Sequence, residues 1–334
     1  MSIKIKLAEK AVDVEKALNN YLAVREPKKL YEAMAHIPLA GGKRLRPVMA
    51  QLTCEMVGGN GKKAIPFAAA LEVIHNFTLV HDDVMDDDDL RHGVPACHTV
   101  YGLPTAILAG DSLFAYAFEM IAESEVDDNI KSELVRHTAY TVRRIAEGQQ
   151  MDINFEEEET VDPELYLEMI RLKTSILFGS AAYGGALVGG KGKDEANDLR
   201  QMAIWVGLGF QIWDDYLDAT ASAEVLGKPS GSDIRQGKRT LLVIEALSRT
   251  KNEERKELIK ILDDSSNTDA DVKRAVTIMS NCGALDNCRK QALGYLNGAK
   301  NTIAKYPESE ARTCLLYTSD AADERSSVDL GGRR

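Results

Sequence analysis

Apolar positions along the chain recur at helical spacing, with polar positions on the opposite face, and strand-like alternation is nowhere sustained. Glycine and proline fall between these stretches. The pattern predicts helices near 7–24, 28–36, 43–57, 63–91, 105–125, 129–155, 163–190, 194–219, 238–250, 253–263, 268–282 and 284–305. The 63–91 and 194–219 segments are apolar around much of their circumference, which marks them as central, buried helices. No low-complexity linker divides the chain and no short repeat is evident. The expectation is therefore a single all-α domain over residues 1–312.

Two loops and one terminus interrupt the pattern. Gly189 to Lys193 is a plain helix–helix turn. Thr220 to Lys238 is long, polar, Gly-rich and basic near its end, and loops of that length are usually functional or disordered. From about Cys314 the sequence CLLYTSDAADERSSVDLGGRR shows neither an apolar stripe nor cap signals. It resembles translated adapter read-through, so residues 313–334 are expected to be a non-native or disordered tail, with the natural terminus lost near Arg312.

Composition narrows the function. Apolar residues make up 44% and charged residues 28% of the 334, a globular balance with room for a core. No uncharged apolar run reaches about 18 residues, so no membrane span is expected, and the N-terminus lacks a signal peptide's apolar centre. The formal charge of −11 argues against a nucleic-acid partner. Five scattered cysteines with no CxxC fit a reducing, cytoplasmic compartment and neither zinc nor a disulfide framework.

Two acidic motifs carry the chemistry. Residues 79–93 read LVHDDVMDDDDLRHG, in which Asp82, Asp83 and Asp86 form DDxxD. Residues 207–218 read GLGFQIWDDYLD, in which Asp214, Asp215 and Asp218 repeat the spacing. Asp82 and Asp86 are i,i+4 and share one helix face. Such like-charge pairs destabilise a helix by roughly 0.2–0.5 kcal/mol, and burying them without counter-charge costs far more. A solvated acidic helix end explains the first motif alone, but recurrence in a second apolar helix calls for cations between them. Carboxylates without His or Cys at ligand spacing suit Mg²⁺, which shares its shell with water and phosphate. The EF-hand pattern is absent.

Basic residues gather around these motifs in the sequence. Gly41-Gly42-Lys43-Arg44-Leu45-Arg46-Pro47 opens a helix, where backbone N–H groups favour an anion. Arg91 follows the first motif, Lys173-Thr174 interrupts an apolar helix, and Lys228 and Lys238 lie in the long loop. Each alone reads as a surface charge; together they point to phosphorylated, anionic substrates.

GGKRLRP, HDDVMDDDDLRHG, GQQMD, LKTSILFG, GFQIWDDYLD and LGKPSGSDIRQGKRT, in this order, resemble the polyprenyl synthetase family of trans-prenyltransferases over roughly residues 5–310. The nearest likeness is to the archaeal short-chain type that makes geranylgeranyl or farnesyl diphosphate. The resemblance implies an isoprenoid-synthase helical bundle around a deep central cavity, a homodimer, and Mg²⁺. The implied reaction joins isopentenyl diphosphate to dimethylallyl, geranyl or farnesyl diphosphate. It implies Asp82, Asp86 and Asp214 as direct metal ligands, with Asp83, Asp215 and Asp218 in support. Arg91, Lys173, Lys228 and Lys238 would hold the allylic diphosphate, and Lys43, Arg46 and His75 isopentenyl diphosphate. Thr174 and Gln211 would face the allylic carbons, and the loop 220–238 would close over the phosphates. His75 also reads as an ordinary core histidine, but it lies seven residues before Asp82 on the same face.

His92 departs from the family pattern, which has a second arginine there, so isopentenyl diphosphate binding is expected to be weaker. A terpene cyclase shares the first motif but not the second, and needs no second diphosphate site. A non-catalytic subunit of a heteromeric synthase typically has a degraded acidic motif, and both are intact here. Product length is read from residues before the first motif. Helix geometry puts Thr78 on the Asp82 side, at about 40°, and Phe77 about 140° away. The resemblance nonetheless makes Phe77 the cavity floor, with Ile74 the next obstruction. One aromatic there implies geranylgeranyl diphosphate as main product and farnesyl diphosphate as the lesser one.

Overall fold

The computed structural model describes residues 2–156, 158, 160–221, 231–264 and 266–323, and among them the expected all-α architecture is present. The helices are α1 (Ile3–Tyr21), α2 (Lys28–Leu39), α3 (Leu45–Met56), α4 (Ile65–Met85), α5 (Cys97–Tyr101), α6 (Leu103–Ala122), α7 (Asp128–Glu156) and α8 (Pro163–Ile170). They continue as α9 (Ile176–Val188), α10 (Lys193–Thr220), α11 (Ser232–Arg235), α12 (Leu241–Arg249), α13 (Asn252–Asp263), α14 (Asp269–Asn281), α15 (Ala284–Ile303) and α16 (Glu310–Asp323). The described sheet is one two-stranded hairpin, β1 (Leu90–Arg91) with β2 (Val94–Pro95).

Every residue of α9 from Ile176 to Leu187 is buried. Its small residues let neighbouring helices close in: a Cβ on Gly185 would lie 2.3 Å from the Ala50 carbonyl oxygen of α3. In α4, Phe67 to Leu71, Val73 and Ile74 are fully buried, and α6 packs along this helix. A second apolar cluster joins the end of α10 to α12–α15 through Ile212, Leu241, Leu258, Ile278 and Cys288. By length and composition α4 and α6 could each cross a membrane, but α4 is largely enclosed by the bundle.

Three expectations need correction. The helix expected over 63–91 ends at Met85, with Asp86 as its C-cap and Asp87 left-handed at φ 54°. Consecutive aspartates oppose the negative end of the helix dipole, so the chain leaves the helix there. It then makes a tight hairpin whose central residues, His92 and Gly93, both have positive φ. The helix expected over 163–190 is broken by a π-helical turn, Arg171–Ser175. Finally, residues 313–323 are helical, not disordered. Ala311, Cys314 and Leu315 form an i,i+3,i+4 apolar face packed against α3, and Glu310 pairs with Lys6. The rest of the tail lies outside the described residues.

Candidate active site

The cavity between α4, α7, α8 and α10 takes shape around the π turn. Asp162 accepts from the backbone N–H groups of Glu164 and Leu165, and Pro163 supplies the first helical position, so α8 starts cleanly. About two turns later the chain widens at Arg171–Ser175, a distortion that concentrates at functional sites. Gly148 of α7 makes the close approach possible: a Cβ there would sit 2.5 Å from the Lys173 backbone nitrogen. Asp152, one turn beyond Gly148, then accepts a hydrogen bond from Lys173 Nζ at 2.5 Å.

The resulting cavity has a volume of about 830 Å³. Asp86, Asp214 and Asp215 line it together with Lys173, Thr174, Gln211 and Lys238. Asp152, Asp233, Gln236, Arg239 and Thr240 add polar groups, and Phe155, Tyr166, Met169, Ile170 and Ile244 give apolar wall. Asp82 stands one helical turn before Asp86 and feels both its charge and that of Lys173. The structure thus brings the two acidic motifs to one cavity. Lys228 lies outside the described residues.

Five of the six motif aspartates divide by environment. Burial, then repulsion from Asp86 and Asp83, pushes Asp82 up to about 6, although Lys173 and Arg91 oppose it. Burial also raises Asp86. Asp215 is pushed up to about 8, by burial first and then by Asp233, Asp214 and Asp218, against a 3.0 Å hydrogen bond donated by Gln211 Nε2. Asp83 and Asp218 are instead structural anchors. Asp83 is fully buried and accepts from Arg91 Nε at 2.6 Å. Asp218 accepts from Ser232 Oγ at 2.6 Å and from the Asp233 N–H at 3.0 Å, which fixes the start of α11.

These residues fit a hard divalent cation. Neither Asp82 nor Asp86 has an ion-pair partner within 4.0 Å among the described residues, and burial first, with neighbouring carboxylates, raises both. No three His, Cys, Asp or Glu side chains among those described converge on one point. Carboxylates from two facing helices suit Mg²⁺, which takes one or two carboxylates and completes its shell with water and phosphate. Burial of these carboxylates sets a pH dependence. An acid raised in the fold from an unfolded value of 3.8 leaves metal-free stability unaffected at low pH. As pH rises from about 4 to about 8, Asp82 and then Asp215 must ionise in the fold, and stability falls. Melting temperature in chelator should therefore drop by several degrees across that range, and added Mg²⁺ should reverse the loss. A flat profile would show that these carboxylates are already compensated.

The other basic residues form a second cluster. His75 is held well below its usual value by burial and by Arg46, His92, Arg44 and Arg91, so it is neutral at neutral pH. Arg46 stacks over the Phe178 ring at 4.5 Å, and Lys43 is exposed. Arg91 does not line the cavity: it is committed to Asp83, and to Asp88 at 3.2 Å. His92 sits in the hairpin turn with its value lowered, by desolvation first and Arg91 next. Ile74, Phe77 and Thr78 do not line the cavity either. Ile74 is core, Thr78 donates to the His75 carbonyl at 2.7 Å, and Phe77 packs on Phe114 of α6 at 5.4 Å.

Asp152 and Asp233 are site residues that sequence reasoning missed. The four-residue offset from Gly148 in GQQMD was the signal for Asp152. Asp233 lies in α11, a single helical turn within a stretch that reads as a polar loop, where nothing local marks it.

Comparison with known proteins places this geometry. Residues 27–279 match the profile of the family described as polyprenyl synthetase. The geranylgeranyl diphosphate synthase of Methanosarcina mazei is 38% identical, covering 96% of this chain and 97% of its own length. The geranylfarnesyl diphosphate synthase of Natronomonas pharaonis is 37% identical, covering 96% and 97%. The crystal structure of geranylgeranyl pyrophosphate synthetase from Pyrococcus horikoshii superposes with a TM-score of 0.92 at 37% identity, covering 97% of this chain and 98% of that one. With both acidic motifs on one cavity of an all-α bundle, this chain belongs to the polyprenyl synthetase family of trans-prenyltransferases.

Proposed function

We propose that the chain condenses isopentenyl diphosphate head-to-tail with dimethylallyl, geranyl or farnesyl diphosphate and releases diphosphate. Geranylgeranyl diphosphate is the main product and farnesyl diphosphate the lesser one. The observation that carries this reading is the pairing of Asp86, at the end of α4 and one turn after Asp82, with Asp214/Asp215 on α10 around one cavity that also holds Lys173 and Lys238. Asp82, Asp86 and Asp214 would hold Mg²⁺, which when bound would supply Lewis-acid neutralisation of the leaving diphosphate.

The protein's own groups do the rest. Lys173, released from Asp152, and Lys238, 3.6 Å from Asp233, bind the allylic diphosphate as charge builds on it. Lys228 is assigned to the same anion, and Arg91 would have to leave Asp83 and Asp88 to join it. Gln211 donates its amide N–H to Asp215, which leaves its carbonyl oxygen for the electron-poor allylic carbons, and Thr174 offers a hydroxyl beside it. Phe155, Met169, Ile170 and Ile244 exclude water from those carbons. Lys43, Arg46, His75 and His92 bind isopentenyl diphosphate and align it. The released diphosphate accepts the proton that ends the step.

The reading extends to assembly and place. The exposed apolar face of α6, with Leu103, Ile107 and Leu108 beside Val100 of α5, supports a homodimer. Leu108→Glu should halve the mass seen by light scattering, and an unchanged mass would exclude this face. Five free thiols support a cytoplasmic location.

The purified chain should turn over labelled isopentenyl diphosphate with each allylic starter and Mg²⁺, with products separated by chain length. No turnover with any starter would favour the non-catalytic subunit. We also expect His92→Arg to lower KM for isopentenyl diphosphate several-fold and to leave the allylic KM nearly unchanged, because a guanidinium binds phosphate bidentately. An unchanged constant would mean that His92 points away from that site.

A further inference from the structure

The loop that carries Lys43 and Arg46 runs against ordinary backbone preference. Gly41 and Gly42 stand at φ of 114° and 146°, and Arg44 follows in the left-handed region at 49°. A non-glycine residue persists there only when its surroundings hold it. The hold is visible. Arg44 is 4% exposed and runs inward between α2 and α4. Its Nη1 donates to Glu72 Oε1 at 2.7 Å and its Nη2 to the Pro38 carbonyl at 2.6 Å. A Cβ on residue 42 would come within 3.2 Å of Arg44 Nη1, so Gly42 belongs to the same fit.

Arg44 lines no part of the cavity, and a buried ion pair is a weak device for stability alone. What the pair fixes is the path of the chain between α2 and α3, and with it the positions of the flanking cations. Lys43 is turned outward and Arg46 is laid on Phe178. Glu72 is also close enough to act electrostatically on Arg46 and His92. An anion site whose groups are already placed loses less freedom on binding.

We propose that the buried Arg44–Glu72 pair is a positioning latch that presets the isopentenyl diphosphate site and leaves the allylic site untouched. The proposal rests on the reading that Lys43, Arg46 and His75 bind isopentenyl diphosphate.

The test is the double variant Arg44→Met/Glu72→Met, which removes both charges and leaves neither unpaired, so the fold should survive. We expect the isopentenyl diphosphate KM to rise about tenfold, the allylic KM to stay within about twofold and the melting temperature to hold. Arg44→Lys keeps the charge but cannot bridge both acceptors, and should raise the isopentenyl constant by about threefold. A folded double variant with an unchanged isopentenyl constant, or with equal rises in both constants, overturns the latch. Should the double variant not fold, Arg44→Lys decides by the same criterion. Calorimetric titration of the wild type with isopentenyl diphosphate separates the two failures. No binding sinks the underlying reading and the latch together, whereas binding that the variants leave unchanged sinks the latch alone.

Discussion

Asp82→Ala or Asp214→Ala is expected to reduce turnover by about a thousandfold while leaving the fold intact. Departure of an allylic diphosphate transfers negative charge to the leaving group, so each missing carboxylate removes part of the cation-binding set where that charge develops. The fold should survive because Asp82 supports nothing else. It has no ion-pair partner within 4.0 Å among the described residues, and burial with like charges already makes its ionised form costly. Metal-free Asp82→Ala should melt at or above the wild-type temperature at pH 8, since a strained charge is gone. Asp83→Ala and Asp218→Ala give the contrast. The first leaves the Arg91 guanidinium with Asp88 as its remaining partner and the second uncaps α11, so both should lower the melting temperature directly. Circular dichroism with a single-turnover assay separates the groups. Near-normal turnover in Asp82→Ala would sink the metal-bridge assignment.

That division between strained and anchored aspartates was not legible in the sequence. DDxxD has the same spacing in both motifs, and spacing reports a shared helix face but not what the face meets. Asp83 and Asp218 are bound by groups that arrive from elsewhere, Arg91 from the hairpin and Ser232 from α11. The hairpin itself was hidden because LRHGVP is too short to show alternation, and its turn depends on φ at His92 and Gly93. The π turn was hidden for a related reason: RLKTS continues an apolar helical stretch, and it is the contact with Gly148 that accompanies the widening.

Legible features were those in which local pattern and packing agree. The long amphipathic helices predicted an all-α fold, which the family match bears out, and the two acidic motifs with the basic GGKRLRP segment pointed to a site for anionic substrates. The tail shows the opposite case. Ala311, Cys314 and Leu315 form a stripe too short to register as amphipathic in sequence, yet α3 offers it a partner. Arg44 reads as one more surface cation of GGKRLRP, and only the structure turns it inward onto Glu72.

The side chain proposed to set product length, Phe77, is not part of the cavity walls. Phe77 lies one turn before His81 on α4, and its ring packs at 5.2 Å from that imidazole and 5.4 Å from Phe114. Phe114 in turn meets Phe118 edge-on at 5.3 Å. The aromatic column therefore leads sideways into α6, not down the axis of α4. Ile74, the next obstruction expected from helix rise, is fully enclosed core. If Phe77 is the floor, removing its ring opens space bounded next by Phe114. Phe77→Ala should move the main product from geranylgeranyl diphosphate to chains at least one isoprene unit longer, and Phe77→Ala/Phe114→Ala should move it further. Ile74→Ala should leave the product distribution unchanged and instead cost about 2–5 kcal/mol of stability, as a cavity in packed core does. Reversed-phase separation of the hydrolysed products measures each shift. If Phe77→Ala/Phe114→Ala still stops at geranylgeranyl diphosphate, the growing chain does not run toward α6 and another helix sets the length.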